Sequence, residues 1–220
     1  MFKLSVPTAF GADKYIGQTA FGIDNLQTDG KEAVSQKWSA AVSETSALYV
    51  VNNGVYGSSF ENGEMRISLL RSAGYCAHPI PPRSLFPDSR FMPRFDQGER
   101  VYSFWMDVCT PDTLEKADRD ATIHNEWVTA INIFPSGSGK KPEKAIVLDC
   151  NNAGVSSFKK ALMDDGYVLR LYENSGKAAE GTFDIPALGI KHKFTLSKFE
   201  VKTFLISGGV VTETDLVEGI

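Results

Sequence analysis

Residues Ala47–Tyr75 set the tightest constraint on how this chain can fold. Ala47–Val51 is a short apolar run of the kind that forms a strand buried on both faces. Glu64–Leu70 alternates instead, with Met65, Ile67 and Leu69 on one face and Glu64, Arg66 and Ser68 on the other. Between them stand Asn53-Gly54 and Asn62-Gly63, pairs that favour tight turns because both residue types tolerate positive φ. Residues 52–59 therefore read as a polar, glycine-rich loop containing Tyr56 and held by two strands. Binding residues concentrate on loops so placed.

A chain of 220 residues can build one large β domain or two small ones. Its 23 basic and 27 acidic residues give a net charge of −4 without long runs of one sign. That balance offers no electrostatic footprint for nucleic acid or an anionic membrane. No apolar run approaches a membrane span, and no signal pattern opens the chain. Cys76, Cys109 and Cys150 are odd in number and lack a Cys-x-x-Cys pair, so free thiols in a reducing, cytoplasmic setting are expected.

Met1–Val6 can form a strand, either an edge or one cut from a longer protein. Gly11–Gly30 reads as loop. Residues 76–94 hold Pro79, Pro81, Pro82, Pro87 and Pro93, a density that excludes helix and central strand. Arg100–Met106 is a strand rich in aromatics. Thr110–Asn125 is the one helix, with Thr110 as cap, Pro111 at the first position and Leu114, Ala117 and Ala121 on one face. It divides residues 1–125 from 126–220. Beyond it, Val128–Phe134, Ala145–Asp149, Ser157–Ala161, Tyr167–Tyr172, Gly181–Ile185, His192–Leu196 and Phe199–Ile206 read as short strands of an antiparallel sandwich. Val210–Ile220 reads as a frayed tail. The expected class is all-β, a large sandwich followed by a smaller one.

Several segments also resemble a known family in the expected order. NNGVYGSS followed by GEMRISLLRS is similar to part of the carboxy-terminal β region of glycoside hydrolase family 38 α-mannosidases. Gln36-Lys37-Trp38 resembles the family's Gln-x-Trp. Asp96–Arg100 and the strand after it resemble Asp-x-Gly-x-His-x-Phe, with Arg100 where histidine is common. YVLRLYENSG is close to Leu-Arg-Leu-Tyr-Glu-x-x-Gly, and LSKFEVKTFLI resembles a Pro-Phe-Glu-Ile-x-Thr ending, with Lys198 in place of the proline. The resemblance covers most of residues 31–206. It implies that residues 1–125 are part of a galactose-mutarotase-like supersandwich and that residues 126–220 form a small terminal sandwich.

Family 38 enzymes are retaining and zinc-dependent, so the resemblance implies an upstream catalytic domain of the same polypeptide that holds the zinc and acts on α-mannosides. Retaining hydrolysis needs two carboxyl groups about 5–5.5 Å apart, and zinc needs at least three converging ligands. His78, His124 and His192 show no metal-ligand spacing, and no carboxylate pair stands out. Asp164 and Asp165 read as turn residues, and Glu173 and Glu200 as partners of arginines such as Arg170. Gly137–Lys141 lacks a full phosphate-loop pattern. The chain itself is thus expected to hold neither catalytic residues nor metal. Gln36, Trp38, Asn53, Tyr56, Arg71 and Asp96 are the residues expected nearest the active-site mouth. Trp38 reads either as a core tryptophan or as a platform for a sugar ring. A stand-alone carbohydrate-binding sandwich and a purely structural module are the alternatives.

Overall fold

The computed structural model describes residues 1–73, 94–131, 134 and 144–218. Nine described strands precede the helix: β1 (Phe2–Pro7), β2 (Lys14–Thr19), β3 (Gly22–Asn25), β4 (Ala33–Val34), β5 (Trp38–Val42), β6 (Ala47–Asn52), β7 (Gly57–Glu61), β8 (Glu64–Leu70) and β9 (Phe104–Cys109). A 3-10 turn at Pro111–Thr113 leads into α1 (Lys116–Asn125). Then follow β10 (Val147–Asp149), β11 (Ala153–Lys160), β12 (Tyr167–Glu173), β13 (Ala179–Ile185), β14 (Ile190–Leu196), β15 (Val201–Ser207) and β16 (Val210–Thr214). The chain is all-β apart from short helices.

The first half forms two antiparallel sheets, β1-β8-β7-β4 and β3-β2-β5-β6-β9. Asn62 and Gly63, at φ 52° and 75°, make the tight turn of the β7–β8 hairpin. Val6, Tyr15, Ala41, Val50, Phe60, Met65 and Ile67 fill the space between the sheets. The other face of β5 and β6 presents Trp38, Ala40, Val42, Ala47, Tyr49 and Val51 to Leu114, Ala117 and Ala121. Every residue of β5 is therefore buried. Its alanines leave room for a helix to pack closely on the sheet, and the expected helical stripe is the face that does so. Thr110 makes no side-chain cap bond, and a 3-10 turn replaces the first helical turn.

The second half pairs β10-β13-β14 against β11-β12-β15-β16. Leu169, Leu171, Phe183, Ile185, Phe194, Leu196, Phe204 and Ile206 form its core. Phe183 lies 6.3 Å from Phe194 and 5.4 Å from Phe204, ring contacts that each add about 0.5–1.5 kcal/mol beyond area burial. Among the described residues no strand before α1 pairs with one after it. The halves meet through side chains: Phe21 packs edge-on against Tyr172 at 5.5 Å, and buried Asp118 of α1 accepts bonds from Tyr172 Oη at 3.2 Å and Asn174 Nδ2 at 3.0 Å.

Several expectations need correction. Gly11–Gly30 is not loop, because it contains β2 and β3. Gly57–Glu61 is a strand whose residues Ser58 and Ser59 are buried, so the loop after β6 shrinks to residues 53–56. The aromatic strand begins at Phe104 rather than Arg100. Residues 128–131 form no strand, and residues 132–133 lie outside the described residues. The strand expected over Ser157–Ala161 starts earlier, at Ala153. The expected tail carries β16, which pairs with β15 from Val210 to Thr214.

Candidate functional site

One end of the first sandwich gathers most of the candidate residues. There β4 and β6 finish, β5, β7 and β9 begin, and β8 runs out at Leu70. The short connections are laced together by backbone bonds: Ser35 N–H donates to Tyr56 O at 3.0 Å, and Asn52 N–H to Lys37 O at 3.0 Å. Asn52, only 5% exposed, also donates from Nδ2 to Gln36 O at 2.7 Å and accepts from Val55 N–H at 3.3 Å. A second lacing holds the next pair of segments. Phe95 N–H donates to Ala73 O at 2.9 Å, Ser72 Oγ to Phe95 O at 2.8 Å, and Gln97 Nε2 to Ser72 Oγ at 2.9 Å.

Gln36, Asn53, Tyr56, Arg71 and Asp96 are all exposed on these connections. Asp96, at φ 57°, lies 3.6 Å from Arg100, the residue standing where the family pattern has histidine. Gln36 further lines a cleft of about 270 Å³ shared with Phe21, Lys37, Glu126 and Tyr172, between the two halves. Trp38 does not join them. It is 0% exposed and sits between β5 and α1, so its faces are covered by protein and unavailable as a sugar platform. The reason is its register: Trp38 opposes Val51, on the sheet face that receives the helix. Asn52 is the residue here that the sequence reading misses, although the Asn-Asn-Gly run carries its signal. An asparagine just before a turn can satisfy neighbouring backbone groups.

Beside this end, the outer face of β1, β7 and β8 is polar and internally paired. Lys3 Nζ reaches Glu32 at 2.5 Å and Ser59 Oγ at 2.8 Å, and Ser68 Oγ donates to Glu32. Burial would raise the Glu32 pKa, but Lys3 and Ser68 hold it below the ordinary carboxylate value. Between the sheets, Tyr15 Oη lies 3.0 Å from Ser39 Oγ and 2.6 Å from Ser58 Oγ, and burial pushes its pKa up.

Glu173 is the second residue whose role differs from expectation. It is 0% exposed and makes no ion pair with Arg170, which bonds instead to Thr203 Oγ1 and Leu216 O. Its carboxylate accepts from Ser175 N–H and Ser175 Oγ at 2.6 Å each, and from Gly176 N–H and Phe199 N–H at 2.9 Å each. Burial acts to raise its pKa, and these donors outweigh it and hold the group low. Glu200 accepts from Ser197 N–H at 2.6 Å within its own loop, ahead of β15 rather than in it.

Among the described residues no group of three His, Cys, Asp or Glu side chains converges as a metal site would require. His124 stacks on Trp105 at 4.2 Å, His192 packs against Phe183 and Phe204, and His78 lies outside the described residues. Asp107 is tied to Lys116 at 2.6 Å and Asp120 to Tyr49 Oη at 2.5 Å. Asp164 accepts from Gly166 N–H and Ser207 Oγ in a turn, as its sequence position suggests. Cys109 and Cys150 are free thiols, Cys76 and Gly137–Lys141 lie outside the described residues, and no described helix is long and apolar enough to cross a membrane.

The fold and site thus define an antiparallel β protein with polar residues exposed on the loops at one end of its first sandwich. Comparison with known proteins narrows the class. Residues 1–90 match the glycosyl hydrolases family 38 C-terminal domain. An alpha-mannosidase from Enterococcus faecalis V583 shares the fold with a TM-score of 0.73 at 12% identity, over 92% of this chain and 25% of that one. A glycosyl hydrolase family 38 protein from Enterococcus faecalis superposes with a TM-score of 0.71 at 11% identity, over 92% of this chain and 26% of its own. No curated protein matches in sequence. The chain therefore spans about a quarter of the length of these two structures.

Proposed function

We propose that this chain is the carboxy-terminal β portion of a zinc-dependent, retaining α-mannosidase, and that it supports the active site of the catalytic portion. The observation that carries this reading is the family match over residues 1–90, which spans β1 to β8 and the connections bearing Gln36, Asn53, Tyr56 and Arg71. Asp96 joins the same end through the Phe95–Ala73 bond. On this reading the carboxylate pair and the zinc belong to the catalytic portion, in a cytoplasmic enzyme acting on α-mannosides. This chain supplies amide, guanidinium, carboxylate and phenol groups at the rim, chemistry suited to sugar hydroxyls.

An aryl α-mannoside assay tests the proposal. The chain alone, with zinc added, should show no turnover, and a polypeptide joining it to a family 38 catalytic portion should show zinc-dependent turnover. Chelator-sensitive hydrolysis by the isolated chain would overturn it, as would full activity of the catalytic portion without this chain. Tight binding of free mannose to the isolated chain would favour a carbohydrate-binding module instead.

A further inference from the structure

The sequence holds two Asn-Gly pairs, Asn53-Gly54 and Asn62-Gly63, and the fold holds them differently. In such a pair the glycine nitrogen can attack the asparagine side-chain carbonyl carbon, because glycine places no side chain in the way. Attack requires the peptide between the two residues to rotate until nitrogen and carbon reach reacting distance. The rate therefore depends on how firmly each pair is fixed.

Asn62-Gly63 is fixed at both ends and at its carbonyl. Its φ angles of 52° and 75° close the two-residue turn between Glu61 and Glu64, which pair in the β7–β8 ladder. Gly63 O accepts from Thr8 N–H at 2.8 Å and from Thr8 Oγ1 at 2.6 Å. Glu64 pairs again with Pro7 of β1. Turning this peptide would disturb all of these contacts together.

Asn53-Gly54 is held only through its neighbours. Asn52 before it bonds to Gln36 O and Val55 N–H, and beyond it Tyr56 O accepts from Ser35 N–H. Between these ties Asn53 and Gly54 are both exposed, and neither makes a hydrogen bond among the described residues. Gly54 has a φ of 82°, and a Cβ added there would meet nothing within 4 Å. Rotation of this peptide breaks no bond and meets no neighbour, so local opening costs little.

We propose that Asn53 is a site of deamidation, an intramolecular reaction that the fold permits there and resists at Asn62. The Gly54 nitrogen gives its proton to solvent base, and its lone pair forms a bond to Asn53 Cγ. The Cγ–Nδ2 bond breaks and ammonia leaves, which closes a five-membered imide. Water then opens either carbonyl, giving aspartate or an isoaspartyl link that runs the main chain through the former side chain. Each event adds one negative charge to a chain whose net charge is −4. The isoaspartyl product also lengthens the main chain by one carbon in the short connection between β6 and β7, on which Tyr56 stands. Loss of the activity proposed above follows from that displacement. This consequence rests on the proposed function, and the modification itself does not.

Peptide mapping by mass spectrometry, after incubation of this 220-residue chain in mildly alkaline buffer, follows both asparagines at once. Asn53 should convert at least about tenfold faster than Asn62, a barrier lower by about 1.4 kcal/mol. In concentrated urea the two rates should converge, because each asparagine then precedes glycine in an unfolded chain. Equal rates in the folded chain, faster conversion of Asn62, or an Asn53 that stays intact would each overturn the proposal. In a polypeptide that also carries the catalytic portion, kcat/KM for an aryl α-mannoside should fall in step with Asn53 conversion. Conversion with an unchanged kcat/KM would uphold the modification and overturn the place of Asn53 in the site.

Discussion

The Glu173 carboxylate accepts the backbone N–H of Phe199 at 2.9 Å, tying the end of β12 to the loop before β15. Phe199 holds a φ of 54°, which for a bulky residue stores about 1–3 kcal/mol of strain. Its ring lies where a side chain at Gly176 would collide with it, so both loops meet at a point fixed by one buried carboxylate.

Glu173→Gln keeps the size of the group but turns an amide toward N–H donors. Equilibrium urea unfolding should show a loss of about 1.5–3 kcal/mol, the range for hydrogen bonds to a charged group. The pH dependence has a defined sign. A carboxylate held below its unfolded value contributes stability that is full above that unfolded value, about 4.3, and is lost as pH falls through the folded one. The difference between wild type and E173Q should therefore shrink only below about pH 4.5. A difference that grows on acidification would show that Glu173 is protonated in the native state.

Asp118→Ala removes the buried acceptor for both Tyr172 and Asn174 across the two halves. Leaving these donors unpaired should cost about 2–3 kcal/mol. Because the lost bonds join the halves, calorimetry should show one transition separating into two. A single unshifted transition would mean that the contact contributes nothing.

Trp38 gives the opposite outcome to a binding residue. Trp38→Ala should destabilise the chain by about 3–5 kcal/mol, as truncation of a fully buried aromatic does. Its Nε1 has no hydrogen-bond partner, so Trp38→Phe loses packing but no bond and should cost about half as much. Denaturant midpoints check both. A negligible effect of W38A would remove it from the core.

What the sequence shows depends on how directly each residue's pattern reflects its surroundings. Met65 and Ile67 announce β8, and Asn62-Gly63 the turn before it, because alternation and positive φ are local properties, whereas its hairpin partner β7 reads as loop and β6, the strand expected beside it, lies in the other sheet. Leu114, Ala117 and Ala121 likewise mark the helix face that packs on β5. By contrast, β2 reads as loop because it spends Gly17 and Gln18 at buried positions for non-local reasons. A side chain at Gly17 would strike Leu26 and Ser35 at 2.7 Å, while Gln18 accepts from Lys37 N–H at 3.0 Å. Glu173 misleads for the same reason, since its donors come from loops 2 to 26 residues away. At the candidate site, exposure and loop position are legible for Gln36, Asn53 and Tyr56. The face of β5 on which Trp38 lies follows from the helix above it.

Tyr56→Ala separates the site from the fold. The side chain is 55% exposed, and the bond from Ser35 N–H to the Tyr56 carbonyl survives any substitution of the ring. Unfolding of the variant chain should therefore stay within about 0.5 kcal/mol of wild type. In a polypeptide that also carries the catalytic portion, the same change should lower kcat/KM for an aryl α-mannoside by at least about tenfold, equivalent to roughly 1.4 kcal/mol in the transition state. A loss of several kcal/mol in the chain alone would place Tyr56 in the core. An unchanged kcat/KM with unchanged stability would turn this end of the sandwich away from the substrate, and Gln36, Asn53, Arg71 and Asp96 would leave the site with it.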